Sequence, residues 1–118
     1  MTETLLGYAQ WHFNLRIPNK DGATLEDHLL QVFKHGNDTP EGLIAPEFPE
    51  QLRHVWEWFS QLQGARVNYG FGVAPITYAE MNAWCSMHRI QIMPEEVEIL
   101  KRVDALYLSE VRKKDKEE

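Results

Sequence analysis

The residues of this 118-residue chain best suited to chemistry are five histidines and one cysteine. His12, His28, His35, His54 and His88 would serve as metal ligands or proton carriers, but no two stand at the close spacing of a helical or zinc-finger ligand pair. Only His28 and His35, seven residues apart, share a helix face. Cys85 is the single cysteine, so an intramolecular disulfide is impossible. It falls on the apolar side of a helical stretch with Met81 and Trp84, the setting of a buried structural thiol rather than a nucleophile. Gly70-Phe71-Gly72 lacks both the Gly-Lys-Ser/Thr ending and the preceding strand of a phosphate loop, and so predicts a turn. Enzymatic acid–base work needs paired groups converging on a pocket, and no such set stands out. The expectation is a non-catalytic protein with no cofactor and no metal.

Two other groups of residues carry more. Helical spacing from Val97, Leu100 and Tyr107 puts Asp104 within or beside an apolar face, and a buried carboxylate needs a partner. Arg66, or the free backbone amides at a helix start near Thr77, would supply it, which makes Asp104 structural. Among the tryptophans, Trp56 and Trp84 belong to apolar stripes and predict core. Trp11 and Trp58 do not, and exposed aromatics are favoured contact anchors. Trp58 is either such an anchor or is covered by the aromatic segment at residues 69 to 71. Trp11, Trp58, Tyr69, Phe71 and Met87 are the candidate partner-binding residues.

The elements that must position these side chains are mostly helical. Residues 11 to 17 read Trp, His, Phe, Asn, Leu, Arg, Ile, an alternation that predicts a half-buried strand. An unpaired strand has open backbone groups, so this segment would pair with residues 1 to 8, with a second copy, or with a partner. Pro18-Asn19-Lys20-Asp21-Gly22 then marks a turn. Thr24 and Asp27 resemble a capping box opening a helix over residues 25 to 35, with Leu25, Leu29, Val32 and Phe33 at helical spacing and Gly36-Asn37 as its stop. Residues 37 to 50 carry Pro40, Gly42, Pro46 and Pro49 and predict an ordered crossing loop. Pro49 would start a second helix ending near Gln63, striped by Leu52, Val55, Trp56, Phe59 and Leu62, with Gly64 as its cap. Thr77-Tyr78-Ala79-Glu80 is a clean capping box, and Ile76 and Met81 are placed for a hydrophobic staple. That helix should end near Met87. Pro94 with Glu95 and Glu96 opens the last helix, faced by Val97, Leu100, Val103, Tyr107, Leu108 and Val111. The fold predicted is mainly α: a small bundle of about four helices over residues 19 to 111, with long ordered loops, an extended segment at residues 1 to 18, and a charged, disordered tail at residues 112 to 118.

Composition bounds the rest. The length suits one domain, which can bury a core without staples. Twelve Lys and Arg against eighteen Asp and Glu give a net charge of −6, which disfavours nucleic acid because phosphate affinity rests on basic contacts. A helix-turn-helix reading around residues 87 to 93 fails on Glu95, Glu96 and Glu98 at the start of the would-be reading helix. No apolar run approaches the ~20 residues that span a bilayer. The first nine residues lack a signal peptide's basic start and long apolar stretch. The expectation is a soluble cytoplasmic protein. The charge is uneven, with nine acids against four bases in residues 1 to 59 (−5) and nine against eight in residues 60 to 118 (−1).

A series of short pieces, in order, resembles the small tail assembly chaperones of long-tailed bacteriophages. The series runs Lys20-Asp21-Gly22 with Leu25 and His28-Leu29; Pro40-Glu41-Gly42-Leu43; Trp56-Glu57-Trp58-Phe59 with Leu62 and Arg66. It continues through residues 68 to 72, Pro75-Ile76-Thr77-Tyr78-Ala79-Glu80-Met81 with Ala83-Trp84, then Pro94, Glu96, Val103-Asp104 and Tyr107-Leu108. Arg89 and Met93 stand where that pattern has Gly near a helix end and Ser or Thr before Pro94. The resemblance implies a helical, non-catalytic protein of the host cytoplasm that binds the tape-measure protein, keeps it soluble during tail assembly, and is absent from the finished virion. The alternative is a structural or adaptor protein of the tail, with residues 11 to 17 adding a strand to a neighbour.

Overall fold

The computed structural model describes residues 1–36, 38–66 and 73–116, and among them the regular structure is helical. Five α-helices follow in chain order: α1 (Thr2–Arg16), α2 (Leu25–His35), α3 (Arg53–Gly64), α4 (Tyr78–Met87) and α5 (Pro94–Lys116). Short 3-10 turns at Glu41–Leu43 and Glu50–Leu52 punctuate the proline-rich crossing. The mainly α expectation holds.

The N-terminal strand does not exist. Residues 11 to 17 close the 15-residue helix α1, and the Ile17 amide donates to the Phe13 carbonyl at 3.0 Å. The alternating pattern misleads because α1 is covered on several sides and has no wide polar face. Leu5, Ala9 and Phe13 enter the core at helical spacing, Leu15 is also buried, and Tyr8 and Trp11 pack toward the crossing loop. With the helix comes a fifth element instead of about four. The proposed self-association through residues 11 to 17 loses its basis, since a helical backbone satisfies its own hydrogen bonds and offers no strand edge.

α5 is the central element, lying against both α1 and α3. The core joins Leu5, Ala9 and Phe13 of α1 to Val55, Phe59 and Leu62 of α3 and to Ile99, Leu100 and Val103 of α5. Ile76 and Met81 complete it from either side of the α4 start, where the staple geometry puts them, and both are buried. Thr77 Oγ1 accepts from the Glu80 amide (3.1 Å) while Glu80 Oε1 accepts from the Thr77 amide (3.1 Å), a complete capping box. α2 has a cap on Thr24, whose hydroxyl accepts from the Asp27 amide (3.0 Å), and it rests on α1 and on the 3-10 turn Glu41–Leu43. α3 becomes regular only at Arg53, after the 3-10 turn that follows Pro49, and includes Gly64. α5 continues to Lys116, through residues expected to fray, and Lys114 is buried. No described helix is long and apolar enough to cross a membrane.

Candidate functional site

A buried polar group links α5 to the entry of α4. Asp104, on α5, is addressed from two directions. Its Oδ1 accepts from Arg66 Nη2, and its Oδ2 accepts from the Ile76 amide at 2.9 Å. The side chains of Arg66 and Asp104 are only 6% and 3% exposed, so this is a buried pair with every contact satisfied inside the protein. Arg66 also donates to Gln63 Oε1 (2.9 and 2.6 Å) and to the Ala74 carbonyl (2.7 Å), and its guanidinium lies 4.7 Å from the Tyr107 ring centre. Lys101, one helical turn before Asp104, donates to the Ile76 carbonyl (3.0 Å). Both backbone groups of Ile76 are thus held by α5, which fixes the entry to α4.

A second buried carboxylate, Glu110, escaped the sequence reading. Its two oxygens accept from Gln10 (3.0 Å) and Asn14 (3.1 Å), joining α5 to α1. The signal was present: Glu110 sits three residues after Tyr107 and seven after Val103, the same apolar-face spacing that singled out Asp104.

Burial, with a smaller contribution from the Glu96 charge, pushes the Cys85 thiol pKa up, which disfavours the thiolate a nucleophile needs. No three His, Cys, Asp or Glu side chains among the described residues are grouped to hold a metal. A cleft of about 420 Å³ between α1, the start of α2 and the end of α5 is lined by amides, Thr24, Leu25, His28 and Lys114.

Three of the five candidate contact residues are among the described residues. Trp11 is half-buried and its indole Nε1 donates to the Gly42 carbonyl at 2.8 Å, so it ties the crossing loop to α1. Trp58 is half-buried against the core, with His54 at 4.9 Å and Trp84 at 6.5 Å between ring centres. Trp84 in turn lies 4.5 Å from His88. Met87 is 76% exposed at the end of α4. Tyr69 and Phe71 lie outside the described residues. Of the three described, Trp11 lies on the α1 side, and Trp58 and Met87 belong to α3 and α4.

The structure exposes a different apolar surface. α2 is strongly amphipathic yet buries none of its residues. Leu25 and Leu29 are half-covered, whereas Leu30, Val32 and Phe33 remain 42–47% exposed, and Ile44, just beyond the 3-10 turn that packs on α2, is 60% exposed. The turn approaches closely because Gly42 has no side chain: a Cβ there would come within 2.8 Å of Leu29 Cδ1. The stripe itself is visible in the sequence, but nothing in the sequence shows that its C-terminal half overhangs the core. Such a face suits side-chain anchors of another helix at i, i+3, i+4 and i+7.

No curated protein and no solved structure matches the chain. A family comparison does: residues 32–109, well over half of the sequence, match the family described as phage tail assembly chaperone. That span takes in Val32 and Phe33 of α2, the crossing loop, the Arg66–Asp104 pair and the α4 capping box, and the chain belongs to the phage tail assembly chaperone family.

Proposed function

We propose that this chain binds the tape-measure protein of its phage and keeps that protein soluble until the tail tube assembles around it, without catalysing a reaction. The observation that carries this is the combination of family membership with α2, an amphipathic helix that buries none of its residues and leaves Leu30, Val32 and Phe33 42–47% exposed. A protein that shields a helical client needs apolar surface on a stable scaffold, and the buried Arg66–Asp104 and Glu110 networks supply the scaffold. Met87 and the half-buried Trp58 are secondary contact candidates at the α3–α4 side. The chain would work in the host cell and be missing from the finished particle.

Co-expression with the tape-measure protein encoded by the same phage tests this. The two should co-purify, and the soluble fraction of the tape-measure protein should rise several-fold. A client that stays insoluble and leaves no complex would overturn the proposal. Mass spectrometry of purified virions should find no copies of the chain, whereas a structural tail protein would persist there.

A further inference from the structure

The exposed C-terminal end of α2 lies within the most acidic stretch of the sequence. Residues 25 to 50 contain six acids, Glu26, Asp27, Asp38, Glu41, Glu47 and Glu50, and one base, Lys34. That is −5 of the total −6, and the remaining 92 residues carry twelve acids against eleven bases, or −1. Glu26 is engaged by Arg16 (3.3 Å) and Glu50 by Arg53 (2.6 Å). Asp27, Asp38, Glu41 and Glu47 have no ion-pair partner among the described residues. An apolar stripe accompanied by unpaired carboxylates is complementary to an apolar stripe accompanied by cations.

A second copy of the chain fits poorly here, because pairing two such faces brings like charges together.

We infer that Val32 and Phe33 at the end of α2 and Ile44 beyond it, with the carboxylates of the crossing loop, form a docking surface for a cationic amphipathic helix. This rests on the reading above that the chain handles a helical client, and it assigns the client's chemistry: the helix has Lys or Arg beside its apolar stripe. Apolar contacts supply affinity, and the carboxylates select sign and accelerate encounter.

Two labelled synthetic peptides of about 18 residues, long enough for about five helical turns, test it against the full chain. One is a leucine–lysine amphipath and the other its leucine–glutamate counterpart. The lysine peptide should bind at least about tenfold more tightly than the glutamate peptide, with affinity falling as salt rises from about 0.05 to about 0.5 M. V32S/F33S and E41K/E47K variants, all at surface positions, should keep the wild-type circular dichroism and melting curve while each loses about tenfold in affinity. Equal binding of both peptides, binding of neither, or unaltered binding by the variants overturns the inference. So does a wild-type dimer in light scattering that V32S/F33S disperses, since the occupant would then be a second copy. The tape-measure co-purification is a separate arm: if wild type and both variants retain the client equally, the client-binding reading survives and this surface assignment fails.

Discussion

Removing the Asp104 carboxylate would leave the nearly buried Arg66 guanidinium without its anion and the Ile76 amide without its acceptor. Breaking one side of a buried pair costs about 3–5 kcal/mol. For a domain of this size that corresponds to a drop of about 10–20 °C in melting temperature, readable by calorimetry on Asp104→Ala. An unchanged melting curve would show that the pair contributes nothing to the fold. His12 offers a test with pH. Its ring is packed 5.0 Å from Trp56, and its Nδ1 accepts from Arg16 Nη1 at 2.6 Å. Burial first, and then the Arg16 charge, lower its pKa from 6.5 to about 4, against an opposing pull from Glu26. The native state therefore keeps His12 neutral where the unfolded chain has taken up a proton. The unfolded state binds more protons between pH 6.5 and 4, so the His12 contribution is complete above pH 6.5, declines across that window, and flattens below it. In His12→Phe the loss of melting temperature between pH 7 and pH 5 should be smaller than in wild type, and an unchanged loss would rule His12 out as its source.

At the scale of elements, the connection from α4 to α5 shows what two local choices cost. α4 ends in a Schellman motif, with the Ile90 amide donating to the Cys85 carbonyl (2.9 Å) and the Arg89 amide to the Ser86 carbonyl (3.3 Å). Arg89 occupies the left-handed position of that motif at φ 54, where its Cβ costs roughly 1 kcal/mol that glycine avoids. At the start of α5, Glu96 Oε1 accepts from the Met93 amide (2.9 Å), which is half of a capping box. Methionine has no oxygen to complete the other half. Arg89→Gly and Met93→Thr should each raise stability by about 1 kcal/mol, seen as a higher urea midpoint with an unchanged slope. A lower midpoint for either would show that the long side chain makes compensating contacts. Elements with explicit punctuation were legible in the sequence for the same reason: Thr24, Thr77, Pro94 and the glycines after α2 and within the end of α3 act over one turn. α1 was not legible, since Trp11, Phe13, Leu15 and Ile17 alternate while Leu5, Ala9 and Phe13 recur at helical spacing, and only the packing of α1 against α5 decides between the two periods. The candidate surface was half legible. Val32 and Phe33 were visible as a stripe, but whether a stripe is covered depends on elements distant in sequence.

The molecule measures 49 × 35 × 20 Å, and its thin dimension is about two helix diameters, so each helix lost removes much of a layer. This bears on where the domain begins. The family match starts at residue 32, yet α1, wholly outside it, supplies Leu5, Ala9 and Phe13 to the common core and both amide donors of the buried Glu110. A fragment of residues 32 to 118 would expose the partners of those three side chains on α3 and α5 and leave the Glu110 carboxylate without its two amide donors. Truncating one buried phenylalanine costs about 3–5 kcal/mol, and whole domains of this kind are stable by only about 5–15 kcal/mol. Losing Phe13, Leu5 and Ala9 together with the Glu110 donors therefore exceeds what the remainder can sustain. The fragment should show no cooperative urea transition and reduced helical circular dichroism. A synthetic peptide of residues 1 to 17 added in trans should restore part of both signals, because α1 docks through side chains and needs no strand register to be set by the chain. A fragment that unfolds cooperatively by itself would instead make α1 an accessory to a self-sufficient helical unit.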